Sequence, residues 1–200
     1  MKIDNFENIK EMINFDKEDE KFFFVQLIRR QKDHKNETKK IKEGPIITYY
    51  IRSRDELDSL KEEIIFQCEH YGARAYCNMQ PKLFEDLRNE LLTKLALRVK
   101  NKSVCNPRKD LYSAAGLIKS HEPLWIIDVD DISMRDEVIT YVKQLYSEAH
   151  KEESNIKILP TPNGLHLIAE PFNSYKFSKK YPDVAIHKNS MGTVLYSPNF

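Results

Sequence analysis

The most informative stretch of this sequence reads Leu124-Trp125-Ile126-Ile127-Asp128-Val129-Asp130. Its apolar residues predict a β-strand, and side chains alternate between the two faces of a strand. We therefore expect Asp128 and Asp130 on one face and Asp131 on the other. Two carboxylates this close repel each other, and a divalent cation that prefers oxygen ligands, Mg²⁺ or Mn²⁺, would relieve the repulsion. The alternative is that the strand ends here and the aspartates open a solvated turn.

A histidine follows in a predicted β-hairpin. Residues 133–150 have the apolar spacing of a helix, and then come a strand, the turn Pro162-Asn163-Gly164 and a second strand. If the hairpin pairs beside the strand of Asp128, His166 reaches the same face and edge of the sheet. There it could donate to a phosphate oxygen; the alternative is a purely structural histidine. We interpret Asn163 and Gly164 as turn residues, because this pair readily adopts a positive φ.

The remaining patterns predict an α+β protein. The first half reads β-β-α-β-α, with strands at 22–28, 45–52 and 73–79 and helices at 54–71 and 83–99. Ser53 and Glu56 form a capping-box pattern before the first of these helices, and Gly72 ends it. The second half reads β-α-β-β and closes on strands at 183–188 and 193–196. We expect mixed or antiparallel sheets with helices packed on one face, the second half being RRM-like in arrangement.

Composition limits the classes of function. The 200 residues include 32 Lys and Arg against 31 Asp and Glu, and 40% of the residues are hydrophobic. A soluble globular protein is expected, and any anionic partner would have to bind a local patch, because the net charge is close to zero. Basic residues concentrate at 29–42 and 94–109, and such runs are usually solvated loops or helix faces.

Cysteine usage and apolar runs indicate the compartment. The three cysteines have no CxxC spacing, so neither a disulfide framework nor a zinc site is expected. No stretch approaches 18 uncharged apolar residues, and the N-terminus lacks the apolar region of a signal peptide. We expect a cytoplasmic protein with reduced thiols and no membrane partner.

The order of these motifs resembles the archaeo-eukaryotic primase superfamily, which includes primase-polymerases of many phages and plasmids. That family has an apolar strand that ends in Asp-x-Asp, a helix, and a turn with Gly and His before another apolar strand. Here these elements are residues 125–130 and 161–168. The resemblance implies an N-terminal αβ module at 1–120 and an RRM-like catalytic module at 121–200, in one compact unit.

The resemblance also implies an activity. It is a nucleotidyltransferase that joins nucleoside triphosphates to a 3′-hydroxyl with two ions of Mg²⁺ or Mn²⁺. Asp128 and Asp130 would bind the ions, and His166 would contact a phosphate. Asp183 is the best local candidate for the family's third carboxylate, although it could simply open a strand. A DNA or RNA template would be bound, and another chain could supply a helicase or other replication partner.

Three further residues are candidate substrate ligands. His187 and Lys188 lie near the end of a predicted strand, where Lys188 could meet a phosphate as a point charge. A solvated strand end is the alternative. Arg74 could line a nucleotide or template groove beside Tyr76, which could stack on a base. The alternative there is an exposed arginine and a packed tyrosine.

Two other classes of function compete with polymerisation. One is a catalytically silent relative that binds nucleic acid on the same sheet without metal. The other is a metal-dependent nuclease or phosphoesterase, in which Asp128 and Asp130 would activate water.

Overall fold

The computed structural model describes residues 1–15, 20–34, 44–104, 106–150, 156–188 and 192–200. It contains helices and two antiparallel sheets, which confirms the predicted α+β class. The strands are β1 Ile3–Asp4, β2 Lys21–Arg29, β3 Gly44–Ile51, β4 Arg74–Cys77, β5 Lys82–Leu83, β6 Trp125–Val129, β7 Lys157–Pro160, β8 Leu165–Ala169, β9 Ala185–His187 and β10 Thr193–Ser197. The helices are α1 Phe6–Met12, α2 Arg54–Tyr71, α3 Phe84–Lys100, α4 Pro107–Leu117, α5 Arg135–His150 and α6 Ser174–Lys180.

The first sheet has the order β1-β10-β4-β2-β3, with β5 pairing to β2. Alternate residues of β2 serve two cores, because the side chains of a strand point to opposite faces. Phe23, Val25 and Leu27 pack with α1 and α2, whereas Phe22 and Phe24 pack with α3 and α4. The sheet is therefore covered by helices on both faces near the start of β2.

Local sequence signals define α2. The Ser53 side chain accepts a hydrogen bond of 3.0 Å from the backbone N–H of Glu56, as the capping pattern predicts. The Glu56 carboxylate accepts from the backbone N–H of Arg52 rather than from that of Ser53. Gly72 ends the helix with φ of 57°, a conformation that favours glycine.

The second sheet has the order β7-β8-β6-β9, and every neighbouring pair is antiparallel. With α5 and α6 between its strands, the element order is β-α-β-β-α-β. Ile127, Val129 and Leu167 pack on the helix side of this sheet. Ile126 and Ile168 point the other way and are buried in the core of the first sheet.

Two buried amides bridge the sheets. Asn5 Nδ2 donates to the carbonyls of Pro160 and Val194, at 3.0 and 2.7 Å. Gln80 Nε2 donates to the carbonyls of Leu124 and Lys188, both at 2.7 Å. Because both amides join the first sheet or its connections to segments around the second, the two sheets share one hydrogen-bonded interior.

The structure corrects several sequence expectations. β10 was assigned to the second module, but it pairs with β1 and β4 of the first sheet. The helix α6 and the short strands β1 and β5 were missed, because segments of two to seven residues carry little periodicity. α4 begins at Pro107, with the Asn106 side chain as its cap. Part of the basic run at 29–42 lies outside the described residues, as does Cys105. Within the described segments, none of the helices combines the length and the apolar character that a membrane span needs.

Candidate functional site

Asp128 and His166 are direct neighbours across two paired strands. β6 and β8 align so that Asp128 lies opposite His166, and the imidazole Nε2 is 3.5 Å from the Asp128 Oδ1. The hairpin thus pairs where the sequence analysis required, and both side chains are on the same face. The His166 side chain is only 4% exposed, whereas that of Asp128 is 27% exposed. The carboxylate is therefore the member of the pair that a ligand can reach.

The other ring nitrogen of His166 is also engaged. Its Nδ1 lies 2.9 Å from the Oγ1 of Thr193, the first residue of β10 in the other sheet. A carboxylate only accepts hydrogen bonds, so the contact with Asp128 places a proton on Nε2. Neutral His166 then accepts from the Thr193 hydroxyl, and protonated His166 donates to it. These two contacts fix the ring plane in either charge state.

Gly164 allows the hairpin to approach β6. A Cβ atom at this position would lie 2.1 Å from the carbonyl oxygen of Val129 and 2.8 Å from the Cα of Asp130. Gly164 lies in the turn between β7 and β8 as predicted, but neither it nor Asn163 has a positive φ, so the reason given for this pair is wrong. The glycine is needed for space, because the backbone that carries Asp130 rests against it.

The electrostatics of the site keep Asp128 ionised. The neighbouring His166 lowers the pKa of the Asp128 carboxyl, partial burial opposes this, and the charges of His187 and Lys32 lower it further. Lys32 was not among the predicted site residues. Partial burial lowers its own pKa, as do the charges of Arg30 and Arg74, while Asp33 and Asp130 act in the opposite direction. Lys32 therefore lies near both carboxylates of the motif.

A short 3₁₀ turn, Gln31–Asp33, carries Lys32. The Asp33 carboxylate forms an ion pair with Arg74, and both side chains are less than 10% exposed. Arg74 also lies against the ring of Phe200, 5.5 Å from its centroid. The expectation of an exposed Arg74 is wrong, and so is that of a wholly exposed loop. Arg74 holds the turn in place and is not itself presented to a substrate.

His187 and Lys188 lie on opposite sides of the second sheet. His187 is paired with Ile126, so it shares the face of Asp128. Lys188 Nζ instead donates to Ser174 Oγ at 2.6 Å and lies 4.6 Å from the centroid of the Trp125 ring, toward α6. The structure therefore brings His187 to the site and directs Lys188 away from it.

The carboxylates differ in their placement. Asp130 follows the end of β6 and is exposed, next to the turn that carries Lys32. Asp131 caps the following 3₁₀ turn by accepting from the backbone N–H of Ser133. Asp183 is exposed in the turn before β9. In the part of the chain that the structure describes, no three His, Cys, Asp or Glu side chains are grouped to hold a metal ion, so Asp183 does not join the pair.

Two carboxylates can still hold a divalent cation of the right kind. Mg²⁺ keeps several waters and commonly binds proteins through one or two carboxylates together with substrate phosphates. Asp128 is partly buried, ionised and fixed by His166, and Asp130, exposed just after β6, carries a second carboxylate that could bind the same ion. This donor set fits a cation that a phosphorylated substrate helps to bind. Two carboxylates are too few for a structural metal site, in which the protein supplies all the ligands.

A cavity lies on the face of the first sheet that carries Phe24. Its volume is about 360 Å³, and Gln26, Tyr76 and His187 are among the residues that line it. Arg30 also lines the cavity, and its Nη1 donates to the Tyr76 hydroxyl at 3.1 Å. Tyr76 is buried, as the alternative of a packed tyrosine predicts, and it also lines the cavity.

Sequence reasoning missed Arg30, Lys32, Gln26 and Thr193. The basic run that begins at residue 29 was visible, but a charged run without periodicity gives no sign that it folds back toward the strand of Asp128. Comparison of the chain with known protein families, with curated proteins and with solved structures finds no match.

Proposed function

We propose that this protein is a metal-dependent nucleotidyltransferase core of the primase-polymerase kind. The observation that carries the proposal is the pairing of Asp128 with His166 across β6 and β8, at 3.5 Å, together with a cavity that Arg30 and His187 help to line. Carboxylates for a cation, an imidazole that orients one of them and a cavity for a nucleotide are parts that phosphoryl-type transfer uses.

Each residue has a defined part in this proposal. Asp128 and Asp130 would hold a divalent cation, which would lower the pKa of the attacking 3′-hydroxyl and neutralise charge on the pyrophosphate that leaves. His166 fixes the Asp128 carboxylate; because both of its ring nitrogens are engaged and its side chain is 4% exposed, it acts through Asp128 and does not contact the phosphate as the sequence had suggested. Thr193 keeps the imidazole in this orientation.

The packing of the second sheet argues against simple nucleic-acid binding on that sheet. Binding modules of this kind stack bases on exposed aromatic residues of the open face. Here that face carries Ile126, Leu159 and Ile168, all buried in the core of the first sheet. A single strand therefore cannot lie across these residues of the face.

A primer-extension assay tests the proposal. Purified protein with Mn²⁺ or Mg²⁺ and nucleoside triphosphates should extend a primer on a DNA or RNA template. Asp128→Asn should abolish the extension, because the cation loses a ligand. The matched control is Asp131→Asn, which keeps a side-chain oxygen for the cap and should leave the rate unchanged.

Two outcomes would overturn the proposal. One is a blank extension assay with both metals on both templates. The other is metal-dependent shortening of nucleic acid without added triphosphates, lost in Asp128→Asn, which would identify a nuclease that uses the same carboxylates.

A further inference from the structure

The cavity on the Phe24 face of the first sheet could hold a flat aromatic ring that has polar groups along its edge. Its volume of about 360 Å³ lies within the range of small-molecule sites. Phe24 and Ile28 supply apolar surface, and Gln26 and Asn78 supply amide groups. An aromatic ring can pack on the apolar residues while its edge exchanges hydrogen bonds with the amides, which both donate and accept.

Basic residues line one part of the cavity. Arg30 lies in its wall, where the guanidinium is steadied by the Tyr76 hydroxyl at 3.1 Å. His187 lines the cavity from β9, shares the face of Asp128, and its charge helps to lower the pKa of the Asp128 carboxyl. A ligand in the cavity therefore lies against the strand next to that of Asp128.

Lys32 adds a further cation at the same place. It is exposed and follows Arg30 by two residues in the chain. The charges of Arg30 and Arg74 help to lower its pKa, after the larger effect of partial burial. Cations gathered in this way repel one another, and a bound anion relieves the repulsion.

The turn that carries Lys32 is held in place by the two residues that follow the lysine. Asp33 forms a buried ion pair with Arg74, which also packs against Phe200. His34 Nε2 lies 2.7 Å from the carbonyl oxygen of Gly72. Because both residues that follow Lys32 are fixed to the first sheet and its connections, the position of the lysine does not have to be ordered by the ligand.

We propose that the cavity and this turn together bind a nucleoside triphosphate, with the base against Phe24 and the phosphates held by Arg30 and Lys32. The identity of the ligand rests on the proposed function. The triphosphate would thus bind residues of the first sheet and its connections, which lie outside the Asp-x-Asp and Gly-His motifs. The base is held apart from the reacting phosphates, so the two parts of the ligand can be tested separately.

Calorimetric titration with two probes, a nucleoside triphosphate and inorganic tripolyphosphate, tests this assignment in the presence of Mg²⁺. Lys32→Gln should weaken the binding of both probes about tenfold, the effect of one charge-assisted contact. Gln26→Met, which keeps the side-chain length and removes the amide, should weaken only the nucleoside triphosphate. Lys143→Gln, on an exposed lysine of α5, is the matched control and should change neither affinity. Unfolding curves verify that each variant is folded.

The results separate this assignment from the proposed function. Unchanged affinities in Lys32→Gln and in Gln26→Met, or no binding of the nucleoside triphosphate by the wild type, would overturn the assignment. A blank primer-extension assay together with the expected affinity changes would support this site while contradicting the polymerase. Primer extension by the wild type, with nucleotide affinities unchanged in both variants, would support the polymerase and contradict this binding site.

Discussion

Thr193 and His166 belong to different sheets and are joined by a hydrogen bond of 2.9 Å between Oγ1 and Nδ1. The hydroxyl comes from the first residue of β10, which returns to the first sheet after the chain has completed the second. The imidazole that contacts Asp128 is thus held by the strand that ties the two sheets together. Its orientation depends on the whole fold as well as on its own hairpin.

Thr193→Val should destabilise the protein by about 1–3 kcal/mol, because a buried ring nitrogen loses its partner while the side-chain shape is kept. Urea unfolding measures the change in the free energy of unfolding. The matched control is Thr140→Val, which removes a hydroxyl that donates to the Asp136 carbonyl on the exposed side of α5. The control should change the free energy by about 0.5 kcal/mol or less. Equal effects of the two variants would show that the Thr193 contact does not stabilise the fold.

Arg74→Met should destabilise the protein by about 3–5 kcal/mol, because it leaves the buried Asp33 carboxylate without its counter-ion. Arg88→Met is the matched control, since Arg88 forms an exposed ion pair with Glu85 and should contribute about 1 kcal/mol or less. Adding Asp33→Leu to Arg74→Met should recover much of the lost stability, because no buried charge then remains unpaired. A double variant less stable than Arg74→Met alone would contradict this account.

The sequence could predict the pairing of Asp128 with His166 because it rests on short-range signals. An apolar strand, a tight turn and a second strand need only one assumption, that the hairpin lies next to the first strand. The capping signal at Ser53 and the glycine at residue 72 are similarly local. Each was read from neighbours within a few residues.

The rest of the site depends on contacts between distant segments. Lys32 lies near Asp130, on a turn that the buried pair of Asp33 and Arg74 holds against the sheet. His187 and Lys188 were both predicted to bind substrate. His187, the last residue of β9, pairs with Ile126 on the face of Asp128, whereas Lys188 follows the strand and contacts Ser174. The sheet that receives β10 is likewise set by packing, which no local pattern encodes.

The thiols of Cys68 and Cys77 should be unreactive in the native protein. Burial raises the pKa of both thiols to about 12, so at pH 8 only about one part in 10⁴ would be thiolate, against about a quarter for an ordinary cysteine. Alkylation with iodoacetamide at pH 8, followed by mass spectrometry, measures this in a Cys105→Ser variant, which retains only these two cysteines. Both should be labelled rapidly in urea. Rapid labelling without urea would contradict the buried placement.

Gly164→Ala should destabilise the protein by about 1–3 kcal/mol or more, because the new methyl group meets backbone atoms of Val129 and Asp130 that cannot rotate away. The control is Gly116→Ala in α4, where a Cβ has nothing within 4 Å and alanine should stabilise the helix by about 0.5–1 kcal/mol. The two substitutions are chemically identical, so opposite signs in the free energy of unfolding would isolate the close approach of the hairpin to β6. Since relief of the clash must move the backbone that carries Asp130, Gly164→Ala should also weaken Mn²⁺ binding in calorimetry, while Gly116→Ala should not. Equal unfolding free energies and unchanged Mn²⁺ affinity in both variants would show that the hairpin tolerates a side chain there and does not position Asp130.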